Sequence, residues 1–383
     1  MLKNLIVIGT RPEAIKLAPL VHAFRQRPDA VRVQVCVTAQ HRQMMDQALA
    51  RVGVCADHDL DVMTAGQTPS DVAAAVLVGM QAVLRRERPD WVIVQGDTTT
   101  TAAAALAAAY AGIKVAHIEA GLRTYDKLQP FPEEMNRCLV TQLADLHFAP
   151  TPAARDNLLR EGVDKATVFV TGNTGIDALY ATVAEMDAAI DFTPLPVLPT
   201  GARVVLATAH RRENLGAPFE RICAALREVA ASDERIHVVF PLHPRPEVRE
   251  VAHRLLDDAP RVILCDPFDH AGLTRMMLRA ELLITDSGGL QEEGPSLGRP
   301  VVVLRELTER PEAVHAGLAL LVGADRAGIV AAARHFLDGG LPRMPDGQAP
   351  QCYGDGHAAE RIVGLMLDEQ VDEWVPQTTS LHK

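Results

Sequence analysis

Acid, base and cation chemistry in this sequence is concentrated just after short apolar runs. QGDTTTT follows WVIV and carries Asp97, EAGLRT follows VAHI and carries Glu119, and FPEEMNR carries Glu133. Carboxylates gathered at one sheet end could share proton-transfer work, one taking a proton while another gives one. Purely structural readings stand beside this one. Asp97 ahead of a run of threonines makes a good helix N-cap, Glu119 could pair with Arg123, and the helix dipole favours any acid placed like Glu133 in a first turn.

Cations and bare backbone occupy the corresponding positions elsewhere. GTRPEAIK follows the first apolar run, placing Arg11 in a turn and Lys16 on the next helix. It is not G-x-G-x-x-G, which removes the main warrant for a tightly held NAD. A guanidinium at a helix start suits phosphate oxygens; the alternative is a surface Arg with Pro12 at the first helical position. TAHRREN brings His210, Arg211 and Arg212 to a strand end, where a His between cations could touch a diphosphate or its departing oxygen. A lone His is more often structural. In LLITDSGGLQEEG a strand feeds a Ser-Gly-Gly turn and a helix, so the N–H groups of Gly288 and Gly289 could approach a phosphate beside the Ser287 hydroxyl. Glu293 lies about one turn further on, within reach of a ribose diol. A plain glycine-rich strand-to-helix turn is the competing reading.

Elements that would position these residues alternate along the whole chain, apolar runs with amphipathic stretches, as in parallel sheets joined by crossover helices. The sequence predicts strands at Leu5 to Ile8, Val31 to Val37, Trp91 to Val94, Val115 to Ile118 and Thr167 to Val170. After a Pro-rich stretch from Thr193 to Gly201, read as a linker, it predicts strands at Val204 to Ala207, Val238 to Phe240, Val262 to Leu264, Leu282 to Thr285 and Val301 to Leu304. In open parallel sheets ligands bind beyond the carboxyl ends of the strands, where the clusters above fall. At 383 residues two domains are expected. We place them at 1–171, carrying the acids, and 172–365, carrying the glycine-rich turn, with a last helix at about 366–383 packing back on the first.

Composition narrows the function classes. Apolar residues make up 48% and charged residues 23% of the chain, an ordinary globular balance. A net charge of −11 argues against a surface built to attract nucleic acid or anionic lipid, so any phosphate site must be local. The six cysteines are far apart and form no C-x-x-C pair, which disfavours structural zinc and disulfides and fits a reducing, cytoplasmic setting. MLKNLIVIGT moves directly into a short strand-like run without the long apolar region of a secretory signal. The Ala-rich stretch from Ala102 to Ile113 is well short of the ~20 residues that span a bilayer.

Taken together, GTRPEAIKLAPL, QHRQMMDQ, QGDTTT, HIEAGLRT, FPEEMNR, TAHRREN, TDSGGLQEE and TERPEA, in this order from Gly9 to about Gly323, resemble the bacterial non-hydrolysing UDP-N-acetylglucosamine 2-epimerases. The resemblance implies an α/β protein of glycosyltransferase-B-like fold. Its two Rossmann-like, doubly wound domains would face each other across a cleft, and the chain would form a homodimer. It implies interconversion of UDP-GlcNAc and UDP-ManNAc for surface polysaccharide synthesis, with no metal and no redox cofactor. Carried over by position, the catalytic residues match Asp97, Glu119, Glu133 and His210. The UDP contacts match Arg11, Lys16, Ser287, Gly288, Gly289, Glu293 and Arg310. A second, activating UDP-GlcNAc site of some relatives matches Gln40, Gln43, Arg211 and His243, although the Arg that some of them place near Gly66 is absent. PFDHAGL, from Pro267 to Leu273, departs from the aromatic loop P-L-x-Y-x-x-F that many relatives hold near the uracil.

The chemistry the family performs explains these residue types. The C2 proton of an acetamido sugar is next to no carbonyl, so direct removal would be prohibitively slow. In the family UDP leaves C1 as the C2 proton is taken, giving a 2-acetamidoglucal, and UDP re-adds after a proton arrives on the opposite face. Three other readings compete: a hydrolysing relative that releases ManNAc and UDP, a glycosyltransferase that needs an acceptor, and a catalytically idle UDP-sugar sensor.

Overall fold

The computed structural model describes residues 1–38, 42–62, 64, 66–186, 194–340 and 351–376, with residues 42–44, 46 and 47 described by backbone alone. The chain divides into two units, Met1–Ala178 with Tyr353–Pro376, and a second that begins at Leu179 and ends at Cys352. Both are doubly wound parallel α/β sheets of Rossmann type, the α/β class expected from the alternating pattern.

In unit 1 the strands are β1 (Leu2–Ile8), β2 (Val31–Val37), β3 (His58–Asp59), β4 (Trp91–Gln95), β5 (Lys114–Ile118), β6 (Leu146–Ala149) and β7 (Val168–Val170), in the order β3-β2-β1-β4-β5-β6-β7. Its helices are α1 (Arg11–Arg25), α2 (Arg42–Arg51), α3 (Pro69–Glu87), α4 (Thr99–Tyr110), α5 (Glu133–Leu143) and α6 (Pro152–Arg160), with α7 (Thr174–Glu185) carrying the chain out. Successive residues of a strand face opposite sides. Ile6 and Ile8 of β1 therefore join a core with Leu17, Leu20, Val21 and Phe24 of α1, while Leu5 and Val7 join a separate one with Val76, Met80 and the small face of α4.

In unit 2 the strands are β8 (Arg203–Thr208), β9 (Ile236–Pro241), β10 (Val262–Cys265), β11 (Ala280–Thr285), β12 (Val301–Val303) and β13 (Ala319–Leu321), in the order β10-β9-β8-β11-β12-β13. They alternate with α8 (Ala217–Ala231), α9 (Pro246–Leu256), α10 (His270–Arg279), α11 (Gly288–Ser296), α12 (Glu312–His315) and α13 (Arg326–Leu337), and α14 (Ala358–Met366) belongs to unit 1. Strand order reverses between β1 and β4 in one sheet and between β8 and β11 in the other. Such a reversal opens a crevice at the carboxyl ends of the two strands.

Several expectations need correction. The chain leaves unit 1 within α7, after Ala178, not at 171, because one helix runs without interruption from Thr174 to Glu185. The Pro-rich stretch, described from residue 194 on, lies inside unit 2 and is not a link between units. Return comes at Tyr353 rather than near 366. The helix that packs on α1 is Ala358–Met366, where Ala359, Ile362, Val363 and Met366 form a buried stripe, and beyond it Trp374 is buried with its backbone N–H donating to the Val170 carbonyl. Strands β3, β6 and β13 were not foreseen, being two to four residues long and too short to display periodicity. Pro12 is the second helical residue, since α1 starts at Arg11 with Thr10 as its N-cap.

Candidate active site

Unit 1 holds its loops at the switch point with a carboxylate that the sequence reading missed. Glu13, 4% exposed, accepts from the N–H groups of Gly9 and Thr10 on one oxygen and from the hydroxyls of Thr98 (2.7 Å) and Thr101 (3.3 Å) on the other. It thereby ties the turn after β1, which carries Arg11, to the turn after β4, which carries Asp97. Burial pushes its carboxyl up to about 7 against the opposing hydrogen bonds from Thr98, Gly9 and Thr10, with the Asp97 charge adding a smaller push upward. Its sequence signal was the capping box T-x-x-E from Thr10 to Glu13. Contact here is tight: a Cβ on Gly9 would fall 2.6 Å from the Thr100 side chain.

Asp97 is not the N-cap of α4; Thr98 is, accepting from the Thr101 N–H at 3.1 Å. Asp97 turns instead to α5. Its Oδ2 accepts from Arg137 Nε (2.9 Å) and Nη2 (2.6 Å), and its carbonyl accepts from Asn136 Nδ2 (2.8 Å). Arg137 also donates to buried Glu134 at 2.8 Å. Glu133, half-buried, lies one turn before Arg137 at a spacing of four, and so on the same face of α5. Arg137 was missed although it closes the same FPEEMNR motif.

Glu119 follows β5 with a φ of +63°, a left-handed backbone that costs a non-glycine residue about 1–3 kcal/mol and is typical of functional sites. It does not pair with Arg123, which donates to Glu161 at 2.7 Å. Glu119 accepts from Lys16 Nζ (2.7 Å), Asn173 Nδ2 (3.0 Å) and Gln95 Nε2. Lys16, read as a UDP contact, is thus joined to a predicted catalytic carboxylate. Beneath this turn His117 donates from Nε2 to the Gly96 carbonyl at 2.7 Å, and burial pushes its pKa down to about 4, so it is neutral at pH 7. Arg11 is exposed at the start of α1.

Unit 2 turns its carboxylates inward. Asp286, fully buried after β11, accepts on Oδ2 from the N–H groups of His210 and Arg211 and from Asn214 Nδ2, all at 2.9 Å. This fixes the turn after β8 against the turn after β11. The His210 ring stacks on His243 with centroids 5.3 Å apart and planes 10° from parallel. Burial, then the His210 charge, holds the His243 pKa below its ordinary value. Ser287 is the N-cap of α11, and Gly288 and Gly289 open that helix. Glu293 Oε1 and Ser287 Oγ flank Gly289, at 3.5 Å and 4.0 Å from where a Cβ would stand.

Arg310, 7% exposed, donates to Glu292 (2.6 Å) and Glu309, and Glu309 also meets Arg305 at 3.0 Å. Its guanidinium lies under the Gly288 backbone, where a Cβ would come 2.8 Å from Nη1, so only glycine fits there without displacing it. The sequence reading had Arg310 but not its two carboxylate holders. Arg212 opens a short 3-10 turn and is exposed. In the Pro267 to Leu273 loop, Asp269 caps α10 by accepting from the Gly272 N–H at 2.7 Å. Gln40 and the Gln43 side chain lie outside the described residues. Among the described residues no three His, Cys, Asp or Glu side chains cluster as a cation cage, and no helix is long and apolar enough to cross a membrane.

Known proteins resemble this chain in sequence and in fold. Residues 22–367 match the family described as UDP-N-acetylglucosamine 2-epimerase. A UDP-N-acetylglucosamine 2-epimerase of Yersinia pestis is 46% identical over 97% of this chain and 100% of its own length. The crystal structure of UDP-GlcNAc 2-epimerase from Neisseria meningitidis bound to UDP-GlcNAc superposes with a TM-score of 0.88 at 39% identity, covering 96% of this chain and 100% of that one. The S. aureus MnaA–UDP structure gives a TM-score of 0.87 at 41% identity, covering 97% and 99%.

Proposed function

The chain belongs to the UDP-N-acetylglucosamine 2-epimerase family, and from that premise we propose that it interconverts UDP-GlcNAc and UDP-ManNAc by inverting C2 of the sugar without hydrolysis. The observation that carries this reading is the seating of Asp97 and Glu119 just after adjoining strands, each fixed by its own cation, Arg137 and Lys16. Two independently held carboxylates, with Glu133 on the helix braced against Asp97, are suited to serve as base and acid. One removes the C2 proton as the C1–O bond to UDP breaks, leaving a 2-acetamidoglucal. Another group then delivers a proton to the opposite face of C2 while UDP re-adds at C1.

Unit 2 is the diphosphate half of this scheme. Departing UDP carries growing negative charge, which the N–H groups of Gly288 and Gly289 at the start of α11, the Ser287 hydroxyl, Arg310 and His210 are suited to hold. Glu293 beside Gly289 suits a ribose diol. In unit 1 the exposed Arg11 is a further cation suited to phosphate. The reading requires no metal and no redox cofactor, since proton transfer and one C–O bond account for every step. We place the enzyme in the cytoplasm as a homodimer, supplying activated ManNAc for surface polysaccharide.

Incubation with UDP-GlcNAc alone tests the reaction class. The expected products are a mixture of the two UDP-sugars. Free ManNAc with UDP would move the chain to the hydrolysing class, and no change without an added acceptor would make it a transferase. Tight binding with no turnover would make it a sensor.

A further inference from the structure

We propose that Asp286 is the positioning residue for His210, holding its imidazole as the Nδ1–H tautomer so that Nε2 is the nitrogen presented to the departing diphosphate. This rests on the proposed epimerase reading for the role of Nε2, but the tautomer itself does not.

Asp286 divides its two oxygens. Oδ2 takes all three donors that fix the turn after β8, namely the N–H groups of His210 and Arg211 and the amide of Asn214. Asn214 is itself anchored, donating also to the Leu304 carbonyl at 3.1 Å. Oδ1 accepts no hydrogen bond, is buried, and lies 3.4 Å from His210 Nδ1. A buried carboxylate oxygen without a donor is costly, and the His210 Nδ1–H stands within reach to supply one. Such hydrogen bonds are often long in unliganded enzymes and shorten when substrate binds.

The ring has little freedom to choose otherwise. His243 covers one face of it, and His243 Nδ1 accepts from the Arg245 N–H at 3.2 Å, so that neighbour is fixed as well. Arg245 also donates to the His210 carbonyl at 3.3 Å, restraining the backbone from the other side. The same carboxylate therefore sets where the imidazole stands and which nitrogen carries its proton. An aspartate behind a catalytic histidine does the same in the serine-protease triad, where the amide replacement leaves the geometry intact but presents the wrong tautomer.

The test is two-bond 1H–15N correlation of the histidine rings in the whole protein at pH 9, with His210 assigned by its loss in H210Q. Wild type is expected to give the Nδ1–H pattern. In D286N the amide oxygen retains the backbone donors and the NH2 faces Nδ1, so the pattern should switch to Nε2–H, with kcat lowered about 100-fold or more and KM changed less than threefold. An Nε2–H pattern in wild type overturns the proposal even if D286N fails to fold. So does an unchanged tautomer in folded D286N, or a loss seen only in KM. If the wild-type protein places no solvent deuterium at C2 of its substrate, it is the epimerase reading that fails, and the tautomer result stands separately.

Discussion

The two switch points use one device to opposite ends. In unit 1 the loops after β1 and β4 are gathered by Glu13, and in unit 2 the loops after β8 and β11 are gathered by Asp286. Beyond Glu13, Asp97 and Glu133 are part-exposed and Glu119 is buried, with Arg137 holding Asp97 and Lys16 holding Glu119. Around Asp286 the carboxylates Glu292 and Glu309 are turned inward beneath Arg310, leaving backbone N–H groups, a hydroxyl and an imidazole at the rim. On the proposed function one architecture would serve two chemistries, proton transfer and anion holding. The side chains set at the strand ends would separate them, not the fold.

Asp97→Asn should break the contrast most severely. Losing one acid–base group is expected to lower kcat by a factor of about 10² to 10⁴ while UDP binding in calorimetry stays within threefold. A variant with near-normal turnover would remove Asp97 from the chemistry. Arg137→Met attacks the support instead of the acid. It leaves buried Glu134 and part-buried Asp97 without their shared cation, and chemical denaturation should register a loss of about 3–5 kcal/mol. A loss under 1 kcal/mol would mean that α5 is held by other contacts.

Glu13→Gln sharpens the comparison through pH. The folded-state pKa of about 7 lies above the ordinary 4.5, so the folded chain keeps a proton that the unfolded chain releases between those values. Stability from this site is therefore greatest below about 4.5, falls as pH rises through the window and is flat above about 7, a total change of about 3 kcal/mol. Glutamine mimics the protonated group. The variant's denaturation midpoint should gain on wild type between pH 5 and pH 8, and parallel pH curves would contradict the assignment. The smallest effect is expected in unit 2, where Gly288→Ala puts a methyl against Arg310. UDP affinity should fall about tenfold with the pH dependence of stability unchanged, and unaltered affinity would take the α11 turn out of the site.

Much of this was legible in the chain. β2 runs from Val31 to Val37 as read, because Val recurs at every second position of VRVQVCV, the period of a strand, and the Ser-Gly-Gly turn opens a helix as predicted. The rim residues were found because strand ends locate them. Their partners were not. Lys16 and Glu119 are 103 positions apart and Asp97 and Arg137 are 40 apart, and no local rule pairs them. Glu119 was instead given Arg123, four residues away, although Arg123 meets Glu161 in the fold. The carboxylates Glu13 and Asp286 escaped notice for a related reason. A buried acid that organises backbone N–H groups looks, in sequence, like an ordinary capping residue or loop aspartate.

The central claim is that proton exchange at C2 accompanies departure and return of UDP. NMR of UDP-GlcNAc with the purified enzyme in heavy water tests it directly. The prediction is deuterium at C2 of UDP-ManNAc and of the recovered UDP-GlcNAc, reduced to a trace in Asp97→Asn. Epimerised sugar that retains its original C2 proton would contradict the account.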